Sequence, residues 1–197
     1  PFEDGSFELV LGHAVLHHLP HLDRAFGEFL RVLAPGGRLL FAGEPSRTGD
    51  RLAGYPKRAA LRVAPRWRRL MRARAAPVEP ASAGSGAGAG VWEDAPADLD
   101  GESLEPFVDV HAFSPDELGA WARGAGFADV SVRGEELLAN WFGWMNRTLE
   151  ATADPDTVPW AWKQYAYRGY LAFQAADRAL LEGRLPPAIF YNLMLSA

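Results

Sequence analysis

The sequence predicts an α/β fold with parallel strands, and three observations carry that prediction. A short apolar run, "FELVLG" (Phe7 to Gly12), reads as a buried strand. Apolar residues then recur at Leu22, Ala25, Phe26, Phe29, Leu30 and Leu33, which share one face of a helix. A second apolar run, "RLLFAG" (Arg38 to Gly43), reads as another buried strand. Strand, helix and strand in so short a span make a βαβ unit with a right-handed crossover.

Each element has its own punctuation. Asp4, Gly5 and Ser6 supply a turn before the first strand. Pro35-Gly36-Gly37 is expected to stop the helix, with glycine accepting a left-handed cap. From Arg47 to Arg74 the chain is strongly basic around "RWRRLMRAR", Pro77 to Gly90 is low in complexity, and Glu93 to Glu105 is acidic. Order returns at "FSPDELGAWARGAGF", where Ser114 is an N-cap, Pro115 suits the first helical position and Glu117 completes a capping box. Leu118, Trp121, Ala122 and Ala125 form the apolar face of that helix, and Gly126 ends it. Asp129 to Arg133 alternates with period two, as a strand does. The following stretch is mainly helical and rich in aromatics, and "AIFYNLMLS" (Ala188 to Ser196) reads as a terminal strand. The expected organisation is a core part over 1–44 and a basic, Gly/Ala-rich and partly disordered insertion or linker over 45–110. A core helix and strand then occupy 111–136, an aromatic helical cap 137–187, and the last strand 188–197.

Composition excludes several classes of function. At 48% hydrophobic and 23% charged residues, the 197-residue chain reads as a soluble globular protein. A formal charge of −5 argues against a polyanion-binding surface, so no nucleic-acid partner is expected. The basic stretch is offset by the acidic one and reads as a solvated helix. No apolar run approaches the ~20 residues that span a bilayer, and no leader-like segment is present, so a cytoplasmic protein without a membrane partner is expected. The absence of cysteine excludes disulfides, thiolate zinc sites and a thiol nucleophile.

Three motifs invite chemistry. His13, His17, His18 and His21 fall within nine positions, and His13 and His17 would share a helical face. Pro20 limits any helix there, and no carboxylate completes an H-E-x-x-H arrangement, so no metal site is expected. "GSGAGAG" (Gly84 to Gly90) has the letters of a nucleotide loop, but no strand delivers it, and it reads as a linker. A nucleophile elbow is absent, and Ser46 lacks flanking glycines. Open parallel sheets bind ligands beyond the carboxyl ends of their strands. That rule points to Gly12, His13 and Ala14 after the first strand, and to Gly43 and Glu44 after the second.

The first 46 residues closely resemble the second half of class I S-adenosylmethionine (SAM)-dependent methyltransferases, in the UbiE-like or type 11 group. Pro1-Phe2, Asp4, Ser6-Phe7, His17-His18, Asp23, Ala25, Glu28, Arg31-Val32-Leu33 and Pro35-Gly36-Gly37 carry the likeness. "RVLAPGGRLLF" is its most specific part, and "FSPDELGAWARGAGFADVSV" fits the later helix and strand.

The resemblance implies a Rossmann-like sheet in the order 3-2-1-4-5-7-6. Phe7 to Leu11 would be strand four, Arg38 to Ala42 strand five, Asp129 to Arg133 strand six, and Ile189 to Leu195 the antiparallel strand seven. Strands one to three, with the glycine-rich cofactor loop, have no counterpart here, so an N-terminally truncated fragment, inactive alone, is expected. The resemblance further implies SAM as cofactor, Gly12, His13 and Ala14 beside it, and His18 in the pocket or at the junction. His13, His18 and Glu44 are the candidate catalytic residues, since a base is needed only where the acceptor must lose a proton. His21 is expected to be a solvent-facing loop residue. A small-molecule methyl acceptor is expected, with the aromatics from Trp141 to Phe173 forming a cap core or a lid over an apolar or aromatic acceptor. The competing reading is an inactive methyltransferase-like interaction module.

Overall fold

A computed structural model describes residues 2–77 and 112–197. The glycine-rich run 84–90 and the acidic run 93–105 lie outside the described residues. Strand β1 (Phe7–His13), helix α1 (Leu22–Val32) and strand β2 (Leu33–Pro45) form the expected βαβ unit, with a 3-10 turn over Leu16–His18. The two strands are parallel, in register from Leu9 opposite Arg38 to His13 opposite Ala42. Then come α2 (Arg47–Met71), α3 (Pro115–Ala125), β3 (Ser131–Glu135), α4 (Leu138–Ala151), α5 (Trp160–Leu180) and β4 (Asn192–Ser196). The sheet order is β1-β2-β4-β3, and β4 is antiparallel to both its neighbours. This is the 4-5-7-6 part of the expected order.

One face of the sheet carries the core. Phe26 and Leu22 of α1 and Leu118 and Ala122 of α3 pack with Leu39, Phe41, Leu193 and Leu195 of the strands. A side chain as large as Phe26, fully buried, contributes roughly 1.5–3 kcal/mol of transfer free energy. Helix α3 starts as its sequence requires. Ser114 accepts from the Glu117 amide, the Glu117 carboxylate takes the Ser114 amide, and Gly126 closes the helix at φ +107°.

Several boundaries and burials differ from expectation. Helix α1 stops at Val32, and Leu33 is already extended at φ −74°, ψ 132°. Pro35-Gly36-Gly37 therefore does not cap the helix. It sits in the irregular start of β2, where pairing shifts between Phe7 and Leu9 and Gly36 takes φ +79°. Strand β1 is not buried: Leu9 is 47% and Leu11 67% exposed. Among the described residues β1 pairs along one side only, and its second face is open, whereas fully buried parallel strands are covered on both faces. Leu40 of β2 shares that exposure. Trp121 lies on the solvent side of α3, because Leu118 and Ala122 already fill the contact with the sheet. The third strand begins at Ser131, after a turn in which Asp129 takes φ 51°. The last begins at Asn192, after a 3-10 turn over Pro187–Ile189.

The basic stretch of the expected insertion is a packed helix. Ser46 caps α2, accepting from the Gly49 amide at 3.1 Å while its hydroxyl donates to the Ala188 carbonyl at 2.9 Å. Ala53, Ala60, Ala64 and Trp67 form its buried face. Ala60, Ala64 and Trp67 join Leu149 and Ala153 of α4 and its flank, with Val158 and Trp162 beside them, in a second core. The cap is thus a three-helix unit of α2, α4 and α5. Its arginines are carried on the outer side of α2, with Arg51, Arg58, Arg62, Arg66 and Arg69 exposed.

Candidate functional site

Strands β1, β2 and β3 run in one direction, so their carboxyl ends share one edge of the sheet. His13, Glu44 and Glu135 stand at those ends. The register from β3 to β2 runs Glu135, Asn192, Pro45, and that from β2 to β1 runs Ala42, His13. Polar groups at this edge are where an open α/β sheet meets its ligand.

Alternation along the strands decides which of them share a face. A Cβ on Gly12 would lie 2.4 Å from the Phe41 ring, so position 12 faces the α1 and α3 core and His13 faces the other way. Gly134 pairs with the core residue Leu193, and Glu135 follows it on the opposite face. His13 and Glu135 therefore occupy the same open face at the same edge.

The loop after β1 is held by one carboxylate. Ala14 takes φ 53° and donates its amide to the Ala42 carbonyl at 2.8 Å, turning the chain sharply out of the strand. The fully buried Glu44 then accepts the amides of Val15 and Leu16 at 2.9 Å on Oε1 and that of His17 at 3.1 Å on Oε2. The same Oε2 takes the His17 Nδ1 proton at 2.8 Å. Burial pushes the Glu44 pKa up, but the imidazole and backbone donors outweigh it and hold the carboxyl below its ordinary value. Glu44 is thus an ionised anchor for the loop, with both oxygens engaged.

The histidines divide by position. His13 is exposed, and its ring lies over Gly43, where a Cβ would sit 2.9 Å from Nε2. Gly43 also takes φ +75°, so conformation and close approach both favour glycine there. His17 is buried against Glu44, while His18 is exposed, its ring 3.9 Å from that of His17. His21 is exposed at the start of α1. Of the predicted residues, the structure brings Gly12, His13 and Ala14 at the end of β1 and Gly43 and Glu44 at the end of β2 to one edge of the sheet. Gly12 is explained by its packing on Phe41.

The end of β3 adds groups that the sequence reading did not single out. Glu136, at φ 60°, accepts from the Tyr170 hydroxyl at 2.6 Å, from Asn192 Nδ2 at 3.1 Å and from Asn140 Nδ2 at 3.2 Å, and Gln174 also donates to it. Burial and this carboxylate together raise the Tyr170 pKa. The buried Asp177 of α5 accepts the Leu138 and Ala139 amides at 3.0 and 2.9 Å, capping α4 from another helix. Glu135 differs from both. Its side chain is half-buried and makes no hydrogen bond to another described residue. Its pKa is raised by burial first, then by Glu182 and Glu136, against the opposing influence of Arg178 and His13. The rule that singled out Gly12 to Ala14 and Glu44 also reaches Glu135 once applied to the third strand.

The cap aromatics mostly pack on one another. Phe142 meets Tyr165 and Phe173 with ring centroids 5.6 and 5.1 Å apart, and Trp67 meets Trp162 at 5.2 Å. Trp160 and Tyr167 face solvent. A cavity of about 900 Å³ opens at the opposite, amino-terminal edge of β2, lined by Leu9, Arg38, Leu40, Phe127 and Ser196, away from His13. No helix among the described residues is long and apolar enough to cross a membrane.

An open sheet with polar groups gathered at its carboxyl edge has the arrangement in which α/β proteins bind ligands. Residues 1–41 match the methyltransferase domain family, so the likeness of this stretch to type 11 methyltransferases stands. The chain is 43% identical over 63 residues to phthiotriol/phenolphthiotriol dimycocerosates methyltransferase 1 of Mycobacterium ulcerans, covering 29% of this chain and 23% of that protein. It is 48% identical over 40 residues to the ubiquinone/menaquinone biosynthesis C-methyltransferase UbiE of Brucella anthropi, covering 20% of this chain and 15% of that one. The matches thus span less than a quarter of the curated relatives' length. Among solved structures, Haemonchus contortus phosphoethanolamine N-methyltransferase 2, in complex with S-adenosyl-L-methionine, aligns with all of this chain and 34% of its own. The TM-score is 0.44 and the identity 14%.

Proposed function

We propose that this chain contributes to SAM-dependent methyl transfer onto a small molecule, with His13 and the backbone of Gly12 and Ala14 beside the methyl donor. The observation that carries the reading is the methyltransferase-domain match of residues 1–41, because that segment is the one that delivers His13 to the ligand edge of the sheet. The donor set suits the group. Glu136 and Glu182 lie beside this edge with Arg178, an acidic surplus that favours a sulfonium cation. SAM supplies an electrophilic methyl carbon, so the protein's main task is alignment.

The chain's residues divide that task. Glu44 holds the loop after β1 rigid, and so positions His13 on one side and His18 on the other. His18, exposed on the 3-10 turn, faces solvent at the same junction and is the second candidate for contact with the acceptor. The aromatic cap meets this edge through Tyr170 and Gln174, which donate to Glu136, an arrangement that suits a lid over an apolar or aromatic acceptor.

The test is calorimetric titration of SAM into the protein made from its complete reading frame, followed by tritium transfer from methyl-labelled SAM. Saturable binding and label in a small-molecule product are expected. His13→Ala is expected to lower turnover or SAM affinity at least about tenfold. Absence of SAM binding would overturn the reading, and unchanged kinetics would remove His13 from the site.

A further inference from the structure

We propose that Glu135 is a catalytic proton acceptor at this edge, taking the proton of a hydroxyl or ammonium group that lies between it and His13. The proposal rests on the methyltransferase reading and adds to it the residue that accepts the proton and the class of acceptor.

The geometry is the argument. His13 and Glu135 stand at the carboxyl ends of parallel strands and on the same open face of the sheet. Two strands, β2 and β4, separate them. At about 4.8 Å per strand, and with Glu135 three β2 positions beyond His13 in the register, their backbones lie roughly 17 Å apart, room for a small acceptor group between the two side chains. The floor of that gap is Ala42, Gly43 and Pro45 on β2 with Met194 and Asn192 on β4. His13 acts electrostatically on Glu135 across it.

The neighbouring acids show what sets Glu135 apart among the described residues, since even Glu182 accepts the Glu136 amide. Glu44 is fully buried and committed to the Val15–His17 loop. Glu136 is bound by Tyr170, Asn192, Asn140 and Gln174, and Asp177 by the first turn of α4. Glu135 has no such donors among the described residues and is only half-buried. The charged groups acting on it are Glu182 and Glu136, which make proton uptake easier, and Arg178 and His13, which oppose it. Burial is the largest influence and acts with the first pair, so the Glu135 pKa is raised from its ordinary value, which makes it a better base than an exposed glutamate.

The step balances simply. The acceptor's proton passes to a Glu135 carboxylate oxygen, from an ammonium before attack so that the nitrogen regains its lone pair and from a hydroxyl as attack proceeds; the acceptor oxygen or nitrogen bonds the methyl carbon, and the S–CH₃ bond breaks with its electron pair returning to sulfur. No oxidant or reductant is involved.

The experiment compares wild type, Glu135→Gln and Glu135→Asp, each made from the complete reading frame. The probe for transfer is methyl-labelled SAM with a small-molecule extract of the source cells. Glu135→Gln is expected to bind SAM within about twofold of wild type yet to lose roughly 10²-fold or more in transfer rate. The Asp variant should recover part of that rate, and the wild-type rate should fall on acidification as Glu135 is protonated. Carboxyl-carbon NMR, which needs no substrate, should place the Glu135 midpoint above 4.5, and His13→Ala should raise it further. A Gln variant that keeps its rate, or a Glu135 midpoint at or below the ordinary value, overturns the proposal. Failure of wild type to bind SAM instead overturns the methyltransferase reading beneath it.

Discussion

Glu44 and His17 meet at 2.8 Å inside the protein, Oε2 against Nδ1, and the same carboxylate gathers three successive backbone amides. One side chain from the end of β2 therefore determines the path of the loop that leaves β1. Replacing it strands four donors in a largely buried place. Glu44→Ala is expected to cost about 3–5 kcal/mol, because it leaves several buried donors without their charged acceptor. Urea unfolding measures it, and a loss below about 1 kcal/mol would show that water or a neighbouring group satisfies the loop.

The same pair sets a pH dependence. The folded-state pKa of Glu44 lies below its ordinary value of 4.5, since the donors outweigh the opposing effect of burial. A depressed carboxyl contributes stability that is fully present above the unfolded pKa and is lost as pH falls through the folded one. Unfolding free energy should therefore decline on acidification from about pH 5 downward, and the decline should be shallower in Glu44→Gln. Parallel acid limbs in the two proteins would assign the effect to other carboxylates.

Gly12 tests the packing beneath the site. An added Cβ meets Phe41 Cε1 at 2.4 Å and Cδ1 at 2.6 Å, and the Phe41 ring is itself buried. Gly12→Ala is expected to destabilise by about 1–3 kcal/mol, the usual penalty of overpacking. Phe41→Leu in the same chain should relieve part of the strain, so the two changes should be less than additive in thermal unfolding.

Asp177 tests how the cap is attached. Helix α4 has no cap of its own at Leu137, and Asp177 receives its first free amides instead. Asp177→Ala should cost about 1–2 kcal/mol and speed hydrogen exchange at Leu138 and Ala139. Asp177→Asn keeps an acceptor oxygen and should restore much of the protection. Equal exchange in wild type and the Ala variant would mean that another group caps the helix.

The local grammar of this chain was legible. The Ser114–Glu117 capping box, the Gly126 stop and the βαβ unit follow from patterns within short windows, because hydrogen-bonded caps and apolar periodicity are local properties, whereas the strand order was implied by the family resemblance. The candidate site was placed by the same reading, since strand ends follow from strand positions. What escaped were effects of neighbours distant in sequence. Leu9 and Leu11 look like core residues by their apolarity, yet their exposure depends on what lies across the sheet. Helix α2 contains Pro56 and Pro65, and an interior proline costs a helix roughly 3 kcal/mol. Packing of Ala60, Ala64 and Trp67 against Leu149 and Ala153 opposes that cost, and no window around the prolines shows it.

The sequence by itself determined which segments fold as strands and helices and where, along the chain, a ligand edge must fall. Only the tertiary structure decided what each acidic residue there does. Glu44, Glu135 and Glu136 are chemically alike, and a sequence cannot rank them. Three-dimensional neighbours can: four donors commit Glu44 to a loop, four others commit Glu136 to the cap, and Glu135 is left half-buried beside two like charges. The division has a physical cause. A carboxyl's proton affinity and freedom to react are set by solvent access and by the donors within a few ångströms, and for Glu44 and Glu136 most of those donors come from residues 27 to 56 positions away.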